Sequence, residues 1–140
     1  MKFSLLRKSL LLISVFGLLV ISACTAKKMV LPSGSQVEGD MLTITLEENP
    51  TTGYGWTLKM GTENIVSLYG DEYISAQTSG NVVGSGGNHV WHFNGVSKGE
   101  TILTFKYYRP WEIEDAAIET RIFNITVSED GKITSVVAGS

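Results

Sequence analysis

Apolar and polar positions alternate with a period of two from Met41 to Glu48, where Leu42, Ile44 and Leu46 stand against Thr43, Thr45 and Glu47. That alternation puts one set of side chains on each face of a half-buried strand. Tyr54–Lys59, Ile65–Leu68, Asp71–Gln77, His89–Phe93, Thr101–Tyr108 and Thr120–Val127 read the same way, with β-branched and aromatic residues at most apolar positions. Ile133–Val137 is a candidate hairpin strand after the turn Glu129–Lys132, and Asn94-Gly95 predicts a tight turn closing the His89–Phe93 strand. No window of this region sustains an apolar 3.6-residue period, so the fold class expected is all-β. About seven short strands between Gly, Pro, Asn and Ser breaks predict an immunoglobulin-like antiparallel β-sandwich. Lys27–Gly39, containing Pro32-Ser33-Gly34-Ser35, reads as a tether leading into a first short strand.

The N-terminus breaks this pattern. Met1–Lys8 carries Lys2, Arg7 and Lys8, and Ser9–Ala23 carries no charge. A basic start followed by a short apolar run is the build of a secretory signal, whereas a membrane-spanning helix needs about 20 apolar residues. Leu19–Cys24, with small residues before the cysteine, resembles a bacterial lipoprotein cleavage box. That resemblance implies a lipoprotein signal peptide over 1–23, a lipidated tether over 24–36 and a folded domain over 37–140, with Cys24 carrying lipid. The expected location is the bacterial cell envelope, with the membrane held through Cys24. Cys24 is the only cysteine, so no internal disulfide can form and the core alone must hold the fold. Loss of residues 1–23 would leave 8 basic against 14 acidic residues, a net charge of −6. A domain that acidic lacks the clustered Lys and Arg that phosphate backbones require, which argues against nucleic acid as a partner.

Three breaks between strands carry distinctive chemistry. In Asn49-Pro50-Thr51-Thr52-Gly53, the proline fixes its own φ and pushes Asn49 towards extended backbone. Thr51 and Thr52 are stiff at χ1, and Gly53 is free to take positive φ or let another backbone come close. Such a loop is small and rigid before binding, which suits a narrow cleft, although a plain strand connection would look similar. Gly84-Ser85-Gly86-Gly87 is followed by a strand and has no nearby cation, so phosphate binding is disfavoured against a hairpin loop or a flexible contact surface. Arg109-Pro110-Trp111 places the two residue types most enriched at binding hot spots on either side of a proline. The plainer reading folds Trp111 over the core edge and pairs Arg109 with Glu112 or Glu114.

Together, and in this order, Asn49–Gly53, Gly84–Gly87 and Arg109–Trp111 resemble the chagasin family of cysteine peptidase inhibitors, whose loops are marked by Asn-Pro-Thr-Thr-Gly, Gly-x-Gly-Gly and Arg-Pro-Trp. The resemblance takes in Tyr54 and Trp56 and covers roughly Val37–Val127. It implies a reversible, competitive protein inhibitor of papain-like cysteine peptidases, in which Thr51 and Thr52 enter the active-site cleft. The peptidase-binding set it implies is Asn49, Pro50, Thr51, Thr52, Gly53, Tyr54, Gly84, Ser85, Gly86, Gly87, Arg109, Pro110 and Trp111. A monomer with no cofactor and no metal is expected. The competing readings are an enzyme and an envelope lipoprotein that binds some other partner on the same sandwich. His89 and His92 are the only histidines. Three apart on a strand, they face opposite sides, which disfavours a shared metal site, and the strand pattern suggests no Ser/His/Asp or paired-carboxylate arrangement for an enzyme.

Overall fold

The structure, a computed structural model, describes residues 29–62, 64–76 and 84–140. The expected signal segment, the lipidation at Cys24 and the strand end at Gln77 lie outside the described residues.

Eight strands run in chain order: β1 (Ser35–Glu38), β2 (Met41–Glu48), β3 (Gly55–Met60), β4 (Val66–Ser75), β5 (Gly87–Gly95), β6 (Gly99–Tyr108), β7 (Glu119–Val127) and β8 (Ile133–Ala138). They form two four-stranded sheets, ordered β1-β2-β5-β4 and β3-β6-β7-β8, with every pairing antiparallel. The expected all-β sandwich is therefore present, with the Ile133 segment adding its own edge strand. Because each strand reverses the one before it, the β2–β3, β4–β5 and β6–β7 connections all emerge at one end of the sandwich. Those three connections hold Asn49–Gly53, Gly84–Gly86 with Gly87 opening β5, and Arg109–Trp111.

Alternation chooses the core. Leu42, Ile44 and Leu46 of β2 face Trp91 and Phe93 of β5 across the same sheet face, and meet Leu103, Phe105, Phe123, Ile125 and Val127 from the other sheet. Trp91, Phe105 and Phe123 form a continuous aromatic column, with centroids 4.7 Å apart for the first pair and 5.9 Å, edge to face, for the second. Offset and edge-to-face geometries add to the burial of large rings, so the column ties β5, β6 and β7 together without a disulfide.

Three elements differ from expectation. The Ile65–Leu68 and Asp71–Gln77 candidates are one strand, β4, whose register shifts between Leu68 and Gly70. Gly70 marks a β-bulge with Tyr69 as the extra residue, where a break was expected. Asn94-Gly95 makes no turn: both residues pair inside the sheet with β2 or β4. Gly95 is required for a different reason, since a Cβ there would collide with the carbonyl oxygen of Gly131 in the β7–β8 turn. The strand pattern also begins at Ser35, inside the stretch Lys27–Gly39 expected to be a tether. Ser35 is buried, its hydroxyl donates to Pro32 O at 2.7 Å, and Thr45 N donates to Gly34 O at 2.7 Å.

The far end of the sandwich is closed by the β7–β8 turn. Gly131 N donates to Ser128 O at 3.0 Å, and Lys132 and Ser128 both engage Asp130. Hydrogen bonding from Lys132 first, then from Ser128, brings the Asp130 carboxyl down to about 2. Gly95→Ala should lower unfolding stability by about 1–3 kcal/mol, because the methyl must push this turn off the end of β5. Urea unfolding monitored by Trp fluorescence measures it, and an unchanged midpoint would contradict the close approach.

Candidate functional site

The first loop is a single 3-10 turn. Asn49 stays extended at φ −130° and ψ 88°, Pro50–Thr52 coil, and Gly53 ends the coil at φ 79°, with Gly53 N donating to Pro50 O. Pro50 suits the first position of such a coil because its missing N–H has no partner to lose. Both threonine hydroxyls turn back onto Asn49: Thr51 Oγ1 donates to Asn49 Oδ1 at 2.6 Å, and Thr52 Oγ1 donates to Asn49 O at 2.6 Å. The loop is thus closed by its own side chains while Pro50, Thr51 and Thr52 remain exposed.

Its base rests on the core. Asn49 N donates to the Tyr107 hydroxyl at 3.1 Å, and Tyr107 stacks obliquely on Trp56 at 4.8 Å and on Tyr54 at 5.5 Å. Trp56 Nε1 in turn donates to Glu47 O at 2.8 Å, pinning together the two strands that flank the loop. Tyr107 follows Thr101, Leu103 and Phe105 on the inward face of β6, so the aromatic shelf under the loop continues the core. The sequence reading did not single out Tyr107. The usable signal was the inward parity of a tyrosine at a strand end, where its ring can be buried and its hydroxyl can reach a backbone donor.

The three segments meet. Asn49 Nδ2 donates to Gly84 O at 3.4 Å, joining the first loop to the second. At Gly53 a Cβ would stand 2.7 Å from Trp111 Cη2, so the indole of the third loop lies directly on the glycine. Gly53 therefore takes the positive φ expected of it, and the close neighbour is a side chain, the Trp111 indole, where a backbone was expected. Gly87 begins β5 and is equally confined, with Ile74 O and the Tyr73 ring occupying the place of a Cβ.

The third loop is held by its cation. Glu112 N donates to Arg109 O at 2.9 Å to close the turn, and the Arg109 guanidinium lies 4.4 Å from the Tyr54 ring centroid, with the Trp111 ring at 5.9 Å. Glu112 stands 3.7 Å from Arg109 Nη1, and Arg109 Nε is buried without a hydrogen-bond partner. Trp111 is 71% exposed. The plainer reading of this loop holds for the Arg109–Glu112 pair, whereas Glu114 pairs with Lys106 instead. Trp111 does not fold over the core edge; it covers Gly53 and presents its outer face to solvent.

The two histidines face opposite sides, as the strand parity required. His92 Nδ1 meets Thr43 Oγ1 at 3.1 Å, while His89 lies between Glu48 and Asp71 and stacks on Trp91. Among the described residues no group of three or more His, Cys, Asp or Glu is placed to hold a metal ion.

Comparison with known proteins identifies the family and the fold. The family described as "Chagasin family peptidase inhibitor I42" matches residues 36–127. Amoebiasin-1 of Entamoeba histolytica is 34% identical over 76 residues, covering 53% of this chain and 70% of that protein. Chagasin of Trypanosoma cruzi is 29% identical over 75 residues, covering 52% and 68%. Among solved structures, the cysteine protease inhibitor EhICP2 from Entamoeba histolytica shares the fold, with a TM-score of 0.56 at 23% identity over 63% of this chain and 78% of that one. The chain belongs to the chagasin family of peptidase inhibitors, a family of inhibitors and not of enzymes.

Proposed function

We propose that this domain is a reversible, competitive inhibitor of papain-like cysteine peptidases that fills the active-site cleft with its first loop. The observation that carries the reading is the meeting of three separate chain segments at one end of the sandwich, through the Asn49–Gly84 hydrogen bond and the Trp111–Gly53 contact. A peptidase cleaves a bond laid out in extended backbone across its nucleophile. The coil at Pro50–Thr52 presents none, because Gly53 N is already bonded to Pro50 O and the peptide planes turn away. Thr51 and Thr52 then cover the catalytic pair without supplying a scissile bond. Their hydroxyls are held in place beforehand, so little conformational entropy is left to lose on association. The second and third loops grip the shoulders of the cleft. Trp111 supplies exposed aromatic area, and Arg109 supplies guanidinium donors other than the Nη1 that faces Glu112.

Titration of papain with the full chain, purified in mild detergent, tests the reading, with a serine peptidase as control. Dose-dependent loss of papain activity alone supports it, and full papain activity at micromolar inhibitor would sink it. Trp111→Ala should raise the inhibition constant about thirtyfold, equivalent to roughly 2 kcal/mol, since a hot-spot indole is lost together with the cover over Gly53. Its unfolding midpoint should stay near that of the parent, given the exposure of the ring. Gly53→Ala should weaken inhibition by a similar factor, through displacement of Trp111 and the cost of a side chain at positive φ. A Gly53→Ala chain that inhibits as well as the parent would contradict the link between the loops.

The same proposal extends to the N-terminus, where a basic start, an uncharged run and Cys24 support export and lipid anchoring. More than one acyl chain is needed for stable membrane attachment, and a diacylglyceryl thioether on Cys24 meets that requirement. The domain then acts as an envelope-bound monomer. Cys24→Ser should move the protein from the membrane fraction to the soluble exported fraction, and unchanged membrane association would refute anchoring through this residue.

A further inference from the structure

One titratable side chain at the loop-bearing end is held by two others that belong to different strands. His89 Nδ1 is 2.6 Å from Glu48 Oε2, and His89 Nε2 is 2.8 Å from Asp71 Oδ2. Glu48 is the last residue of β2, immediately before Asn49; His89 stands just inside β5, after Gly87; Asp71 lies on β4, whose far end leads to the second loop. The ring is fixed in plane by stacking on Trp91, with centroids 4.1 Å apart and 4° between planes, and Trp91 belongs to the core. The carboxylate of Glu48 is well shielded, at 10% exposure, and that of Asp71 is about half exposed.

Ionised carboxylates only accept hydrogen bonds. A neutral imidazole has one N–H and one lone pair, so it satisfies one carboxylate and turns its lone pair on the other. Only the doubly protonated ring donates at both ends. We propose that His89 is a positioning residue for inhibition: as an imidazolium it clamps β2, β5 and β4 together beneath the first and second loops, and it releases that clamp when it loses a proton. Inhibition is then tighter in mildly acidic solution than in mildly alkaline solution. The sign follows from the donor count, since the second N–H exists at low pH and is lost as pH rises.

The titratable groups around the ring are few. Among the described residues they are Glu48 from β2 and Asp71 and Tyr73 from β4, while Tyr107 and Glu119 of the facing sheet line the same hollow as Glu48. Arg109, the cation of the third loop, is engaged by Tyr54 and Glu112. His92 points to the opposite face and bonds Thr43.

The inference rests on the inhibitor reading, and its test separates the two. Asp71→Asn keeps the size of the side chain and offers an amide N–H to the Nε2 lone pair, so a neutral ring is satisfied on both sides. Inhibition constants against papain are measured for parent and variant at about pH 5 and about pH 8. The ratio of the two inhibitors at one pH cancels the peptidase's own pH dependence. The ratio of parent to variant constant should rise about tenfold from the lower to the higher pH, in keeping with one charge-assisted hydrogen bond. A ratio that stays the same at both values overturns the proposal. A second readout needs no peptidase: protection of the Gly53 amide against hydrogen exchange, corrected for base catalysis, should fall with rising pH in the parent and not in the variant. Parallel protection in the two proteins overturns the clamp. If the parent fails to inhibit papain at either pH, the inhibitor reading falls, and the exchange measurement still decides the clamp.

Discussion

The structure depends on one column of aromatic rings. Phe123, Phe105 and Trp91 fill the space between the sheets, and with no disulfide among the described residues they supply the cross-linking that β5, β6 and β7 need. The column does not stop at the core. On one sheet Tyr107 follows Phe105 on the same face of β6 and packs on Tyr54 and Trp56 beneath the backbone of Asn49; on the other, Trp91 stacks on His89, which bonds Glu48 at the end of β2. The first loop therefore stands on rings whose positions are set by burial, and a loop of small side chains can be rigid without any bulk of its own. Loops carried on rigid scaffolds are the usual place for recognition, and here the scaffold reaches to the first residue of the loop.

This continuity also explains the residue types at the tip. Thr51 and Thr52 spend their hydroxyls on Asn49, and Gly53 gives up any side chain so that Trp111 can lie against it. Arg109 is confined between an aromatic face and Glu112, a task for which a planar guanidinium is suited and a lysine is not. The three segments behave as one surface, so changes in one are felt in the others.

Much of this was legible in the amino-acid sequence, for physical reasons that differ by element. Alternation in Met41–Glu48 and Thr101–Tyr108 is read directly, because half-buried strands repeat every two residues. The three loops were found through motif and order; their chemistry taken singly also fitted plain turns. What escaped were features in which one residue type serves two ends. Gly70 and Gly95 look like turn formers, yet one marks a bulge and the other a close backbone approach. Tyr107 and His89 look like ordinary strand residues, because their partners Asn49, Glu48 and Asp71 are remote in sequence and become neighbours only when the register is known. Cys24 and the segment before it lie outside the described residues, and that part of the reading rests on sequence.

The bulge at Tyr69 has a further effect. β4 is an edge strand ten residues long, with Tyr69 and Ile74 exposed, and a long edge of free N–H and C=O groups is a template for pairing with other chains. The register shift between Leu68 and Gly70 interrupts that template near its middle. Beyond it Asp71 faces inward, where a strand from another molecule would add apolar cover over a charge already committed to His89. An inhibitor with this flank open would otherwise risk pairing edge to edge with other chains, and the aspartate bonded to His89 places a charge that opposes it.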